Sequence, residues 1–219
     1  KGNIHAIKFP KSFFSASLLT ILSTSAFLSV DLILVKHYLS AIQAGQYALI
    51  GLIGKIVFYF GSLVNNLMMT FVSRDEGANR SSDKTFNRLL LATITLTGLV
   101  FVVVGPLGHI VTPILFGEKV YTILPFISEY ALAIAFITIT QALLLYHLAK
   151  HHYVFSVTSL ISVCVMIIAI ILHHASVREV VNDVLFASIL NFSLIVSLHV
   201  LYRQRRWIKS NIRDLLDVF

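Results

Sequence analysis

Residues 153–172 read YVFSVTSLISVCVMIIAIIL, twenty positions without a charged side chain. At 1.5 Å per residue a helix of that length spans about 30 Å, the thickness of a bilayer's hydrocarbon core. A soluble protein uses shorter apolar runs broken by polar positions, and a barrel strand alternates with period two; this stretch does neither. It predicts a membrane-crossing helix. Five further blocks of similar character follow from the same reading, so that the six lie at about 13–35, 47–72, 89–116, 123–148, 153–172 and 180–202. Each must be helical, because backbone groups facing hydrocarbon need partners within their own segment. The expected fold class is all-α: a polytopic bundle of six transmembrane helices over residues 1–202, with a basic tail over 203–219.

Composition agrees. Of 219 residues 57% are hydrophobic and 12% charged, against about 25% charged in a soluble domain. That leaves too little polar side chain to coat a surface in water. The net charge of +7 raises the question of nucleic acid, but the basic residues sit between apolar blocks and in the tail, where they act as topology signals. Lys1, Lys8, Lys11, Arg74, Arg80, Lys84, Arg88, Lys150, Arg203, Arg205, Arg206, Lys209 and Arg213 fall on one side of the membrane, 13 in all; only Lys36, Lys119 and Arg178 fall on the other. The bias puts both termini in the cytoplasm and the chain in the cytoplasmic membrane as a multi-pass protein, with membrane lipid as a partner and no nucleic acid. The first apolar block imitates a signal peptide but is longer than the usual apolar region of one. A chain opening on Lys1 instead of methionine is expected to be an excised or processed piece.

Between the second and third blocks, residues 73–88 read SRDEGANRSSDKTFNR, the longest polar stretch and the expected flexible hinge. The other links are short, which predicts that consecutive helices are antiparallel neighbours. Gly105, Pro106, Gly108 and Pro113 crowd the outer half of the third span, so it should kink or break there; Gly105, Pro106 and Pro113 are the hinge candidates. In the tail, Trp207, Ile208, Ile212, Leu215, Leu216 and Phe219 fall near helical spacing among basic residues, the pattern of an amphipathic helix on an anionic leaflet.

Charged and polar residues at membrane depth are the functional candidates, because each is costly unless partnered or hydrated. Lys55 lies about 12 Å below the outer end of span two and Asp31 about 6 Å below that of span one, so an Asp31–Lys55 ion pair is expected. Glu129 and Asp183 occupy similar depth, which suggests a vestibule open to the outside; the plainer reading makes these two interfacial residues near helix ends. Asn65, Asn66 and Gln141 lie nearer the inside, lining a path or bonding between helices. Gly51, Gly54 and Gly61 permit close helix approach. The lone Cys164 excludes an intrachain disulfide and a cysteine metal cluster, and is expected as a small buried side chain. Facing histidines (His147 with His199, His109 with His173) raise a haem reading, which the placement of most other histidines at helix ends disfavours. No HExxH, GxSxG or P-loop pattern occurs. The expectation is a protein without cofactor or metal that is not an enzyme. An enzyme of lipid intermediates would need an acid beside His147, His151 and His152, and none is evident in the sequence.

The stretch Val30–Phe60, VDLILVKHYLSAIQAGQYALIGLIGKIVFYF, resembles the opening of the second lobe of oligosaccharide flippases of the polysaccharide-biosynthesis family, within the multidrug, oligosaccharidyl-lipid and polysaccharide exporter superfamily. The resemblance lies in Asp31 to His37, in Ala44, Gly45 and Tyr47, and in Gly54 and Lys55. Ile114–Tyr121, ILFGEKVY, is similar to the family's Leu-Phe-Gly-x-x-Tyr turn with one extra residue before the tyrosine, and the likeness continues diffusely over nearly the whole chain. Where relatives often carry a proline near the end of span two, this chain has Thr70, which leaves the bend of that span open. The resemblance implies a single six-helix lobe of a two-lobe transporter whose N-terminal lobe or partner subunit is missing here. It further implies alternating-access movement of a polyprenyl-diphosphate-linked glycan, with Lys55 as an anion contact oriented by Asp31. The competing readings are a cation-coupled drug exporter of the same superfamily using Asp31 or Glu129, a membrane-embedded enzyme acting on lipid intermediates, and a structural subunit.

Overall fold

The computed structural model describes residues 11–216, with side chains described through residue 204. Seven helices follow one another: α1 (Lys11–Tyr38), α2 (Ala41–Gly77), α3 (Asp83–Val104), α4 (Gly108–Phe116), α5 (Leu124–Ala149), α6 (Val154–Leu172) and α7 (Val177–Leu216), with a single 3-10 turn at Glu118–Val120 and no strand among the described residues. Six of them, all but the nine-residue α4, are long and apolar enough to cross a membrane. The all-α six-span class is thereby established.

The axis of the bundle is α5. Of its most apolar stretch 72% is buried, against 17 to 39% in the other five spans, so α5 is a core helix while the others present one face outward. Its small residues, Ala131, Ala133, Ala135 and Ala142, let α2, α3 and α7 close around it, with α6 set between α1 and α7. Consecutive helices are therefore not always neighbours: α5 and α6, joined by only four residues, pack little on each other. At the closest approach α2 offers glycine. A Cβ on Gly54 would run into the ring of Tyr130, and one on Gly61 into Thr97 and Thr138.

The third span breaks where Gly and Pro predict. Pro106 has no N–H to donate, and the chain leaves α3 through Gly105 N–H to Phe101 O (2.7 Å) and Leu107 N–H to Val102 O (3.0 Å) before α4 restarts. Pro113 lies inside α4, which ends at Gly117 with φ of 75°. By contrast α2 runs 37 residues without interruption past Thr70. Its start is fixed by a capping box between Ser40 and Gln43.

Three expectations need correction. The polar stretch 73–88 is not a hinge, because helix claims most of it and only residues 78–82 lie outside α2 and α3. Those five are tied down by Ser82 Oγ to Glu76 Oε1 (2.5 Å), Thr85 Oγ1 to Asp75 Oδ2 (2.6 Å) and Arg80 N to Asp75 O (2.8 Å). Cys164 is exposed on the apolar outside of α6, not buried. The basic tail is not a separate helix: α7 continues through Leu216, while the amphipathic placement of Trp207 to Phe219 lies outside the described residues.

Candidate functional site

Polar side chains gather at three levels of the bundle. Nearest the end that carries the α1–α2 link, Asp31 is fully buried on the inward stripe of α1 with Phe27 and Val35. Its Oδ2 accepts from Tyr47 Oη (2.7 Å) and Tyr130 Oη (2.8 Å), and its Oδ1 accepts from the N–H of Leu32 (2.8 Å). The two tyrosine rings meet edge to face with centroids 5.8 Å apart. The carboxyl thus joins α1, α2 and α5, and the expected Asp31–Lys55 ion pair is absent. The reason is helical phase. Tyr47, Ile50, Gly54, Val57 and Gly61 mark the buried face of α2, and Lys55, about 100° round from Gly54, turns to the rim instead.

At mid-depth Asn65 is fully buried and fully bonded. Its Nδ2 donates to Thr138 O (2.9 Å) and Gln141 Oε1 (3.1 Å), and its Oδ1 accepts from Thr93 Oγ1 (2.9 Å). Asn65 and Gln141 are hence a tie between α2, α3 and α5. Glu129 pairs with Arg178 (3.7 Å) and Asp183 with His173 (3.5 Å), so three of the four ionisable groups expected to converge on one vestibule are held by separate partners, and the fourth, Lys55, stands apart from them.

Asn66 is exposed, and it belongs to a stripe. Lys55, Tyr59, Ser62, Asn66 and Thr70 recur at intervals of three and four along the outward face of α2, each half-buried or exposed. Lys55, Asn66 and Thr70 make no hydrogen bond or ion pair among the described residues. Leu, Ile, Val and Phe recur at the other outward positions of the bundle, alongside exposed Ser25, Ser29, Thr95, Ser193 and Ser197.

At the opposite, basic end the structure assembles a cluster that residue spacing does not announce. The start of α3, the end of α5, the α5–α6 link and residues 199–203 of α7 surround a cavity of about 60 Å³ whose walls include Asp83, Asn87, Lys150, His199 and Arg203. Lys150 reaches Glu76 Oε1 (3.2 Å) and Asp83 Oδ1 (3.3 Å), and Tyr146 Oη donates to the same Asp83 oxygen (2.9 Å). Burial alone would pull the Lys150 ammonium's pKa down, but Tyr146, Glu76 and Asp83 outweigh it and raise the value above 10.5. Asp83 is the acid missing from the sequence reading; it lies 63 residues before Tyr146, beyond any local pattern, and is already engaged by Lys150. His147 Nε2 lies 2.9 Å from His199 Nδ1, and His147 Nδ1 lies 3.1 Å from His152 Nδ1. Imidazoles in direct contact leave no space for a haem iron between His147 and His199. His109 turns to Pro106 O and His173 to Asp183, so the second haem pair is not assembled either. Among the described residues no group of three or more His, Cys, Asp or Glu is arranged to hold a metal ion.

No protein-family model matches the chain, and no curated protein or solved structure matches it.

Proposed function

We propose that the chain is one lobe of a cytoplasmic-membrane transporter that moves an anionic, lipid-linked glycan by alternating access, with its basic end and both termini in the cytoplasm. The observation that carries the proposal is the polar stripe of Lys55, Tyr59, Ser62, Asn66 and Thr70 on the outward face of α2. A lysine at the centre of a membrane helix costs about 2.5–3.5 kcal/mol when it faces lipid. A stripe of five such positions makes sense where water or a second lobe covers it, and the unpartnered Lys55 then supplies a cation for a diphosphate while the polyprenyl chain stays in lipid. Asp31 has no part in orienting Lys55, since its Oδ2 accepts from Tyr47 and Tyr130 and its Oδ1 from the N–H of Leu32.

Two measurements test this. Single cysteines at positions 62, 66 and 70, in a Cys164→Ser background, are expected to react with a membrane-impermeant thiol reagent, whereas cysteines at the outward apolar positions 99 and 168 are not. Equal silence at both sets would place the stripe in lipid and end the proposal. A Lys55→Ala chain that reaches the membrane is expected to lose lipid-linked glycan export; full export would remove Lys55 from the mechanism.

A further inference from the structure

The proposed transport leaves unused the row His152–His147–His199, whose middle ring is 3% exposed. That ring is clamped flat on Phe155, with centroids 3.5 Å apart and planes 8° from parallel. It cannot turn without breaking that stack, and each of its nitrogens faces a nitrogen of a different histidine. An N–H donates and a bare ring nitrogen accepts, so each of the two contacts holds one proton. Three neutral imidazoles carry three protons over six nitrogens. Two occupy the contacts, and the third sits on the outer nitrogen of His152 or of His199.

The consequence is a count. A fourth proton fills the remaining outer nitrogen, gives the row one positive charge and keeps both contacts. A fifth has no nitrogen left except one inside a contact, where two N–H groups would face each other and the bond would break. Among the described residues, Asp83 from α3, Tyr146 from α5, Lys150 from the α5–α6 link, and Tyr202 and Arg203 from α7 surround the row, with Glu76 of α2 paired to Lys150.

We propose that His152, His147 and His199 form a one-proton binding site at the basic end, in which a single proton is shared along the row. A proton arriving at the outer nitrogen of His152 shifts the Nδ1 proton of His152 onto His147, then the Nε2 proton of His147 onto His199, whose own outer proton can leave. Each ring ends neutral in its other tautomer. The site stands whether or not the chain carries a lipid-linked substrate.

Nuclear magnetic resonance on the full chain, labelled with nitrogen-15 in histidine and held in detergent micelles, tests it between pH 8 and pH 5. In the wild-type protein at pH 8 two nitrogen–nitrogen couplings across hydrogen bonds are expected, both ending on His147. On acidification the three signals should share one midpoint and take up one proton together. In His147→Gln the midpoints of His152 and His199 should separate. Missing couplings in the wild type, three independent midpoints there, or an unchanged common midpoint in the variant would each overturn the proposal. The wild-type couplings decide alone if the variant does not fold.

Discussion

The Asp31 node gives the sharpest test of how this bundle is held together. Changing Tyr47 or Tyr130 to Phe removes one hydrogen bond to a fully buried carboxyl group. Bonds to charged groups contribute about 1.5–3 kcal/mol in proteins generally, whereas interhelical bonds in membrane proteins average about 0.6 kcal/mol and reach about 1.7. Asp31 is sealed at 0% exposure, so each single change is expected near the top of the membrane range, about 1.5 kcal/mol. Removing both hydroxyls leaves the carboxyl only the N–H of Leu32, and the double variant should exceed the sum of the singles by about 1 kcal/mol. Asp31→Leu deserts two buried hydroxyls at once, at about 1–3 kcal/mol each. The decisive variant is the triple, Asp31→Leu with Tyr47→Phe and Tyr130→Phe. With both sides of each bond made apolar no polar group is stranded, so the triple should be milder than Asp31→Leu alone, while Lys55→Met should not destabilise the bundle. Reversible unfolding in mixed micelles, followed by circular dichroism, resolves such differences, since 1–2 kcal/mol is about a 5- to 30-fold change in the folded ratio. A triple less stable than Asp31→Leu, or a Lys55→Met as costly as Tyr130→Phe, would refute the reasoning and return the lysine to the carboxyl.

Further expectations follow from packing and charge. Gly61→Val should destabilise by about 1–3 kcal/mol through overpacking against Thr97 and Thr138, whereas Gly98→Ala, with open space around it, should leave stability unchanged or raise it by about 0.5–1 kcal/mol; the same unfolding assay reads both. Asn65→Ala, which loses three hydrogen bonds at about 0.6 kcal/mol each, should cost about 2 kcal/mol. Because Lys150 holds its proton more tightly folded than unfolded, its contribution is complete below the unfolded value near 10.4. It is lost as pH rises through the folded value. Stability measured from pH 8 to 11.5 should therefore fall more steeply in wild type than in Lys150→Met.

The spans were legible because hydrocarbon imposes a length and a composition, and Gly105 with Pro106 announced the break because proline lacks a donor. The partners of the polar residues were less legible. Depth along each helix can be counted from sequence, and on depth alone Asp31 and Lys55 suit each other; rotation about the axis decides contact, and it placed Tyr47 on the buried face and Lys55 a residue away from it. The tyrosines carried a signal all the same. Tyr47 and Tyr130 lie amid apolar residues in their spans, and a buried phenol needs an acceptor. The His147 cluster was half visible, with its acid, Asp83, hidden 64 residues upstream. The polar run 73–88 misled because polarity marks the exit from hydrocarbon, not the end of a helix, and α2 simply continues into the aqueous layer.

The two faces of α2 follow opposite rules. On the inward face every polar group finds a partner: Tyr47 in Asp31, Asn65 in Thr93, Thr138 and Gln141. On the outward face Lys55, Asn66 and Thr70 find none among the described residues. If the outward stripe were lipid-facing, its lysine and asparagine would cost more than the Asn65 tie contributes, and replacing them with leucine would stabilise the isolated bundle while leaving function intact. If the stripe faces water or a partner, Lys55→Leu and Asn66→Leu should stabilise the bundle in detergent yet abolish transport. Stability and activity moving in opposite directions at those two positions, and together at Asn65, is the pattern that separates a path from a seam.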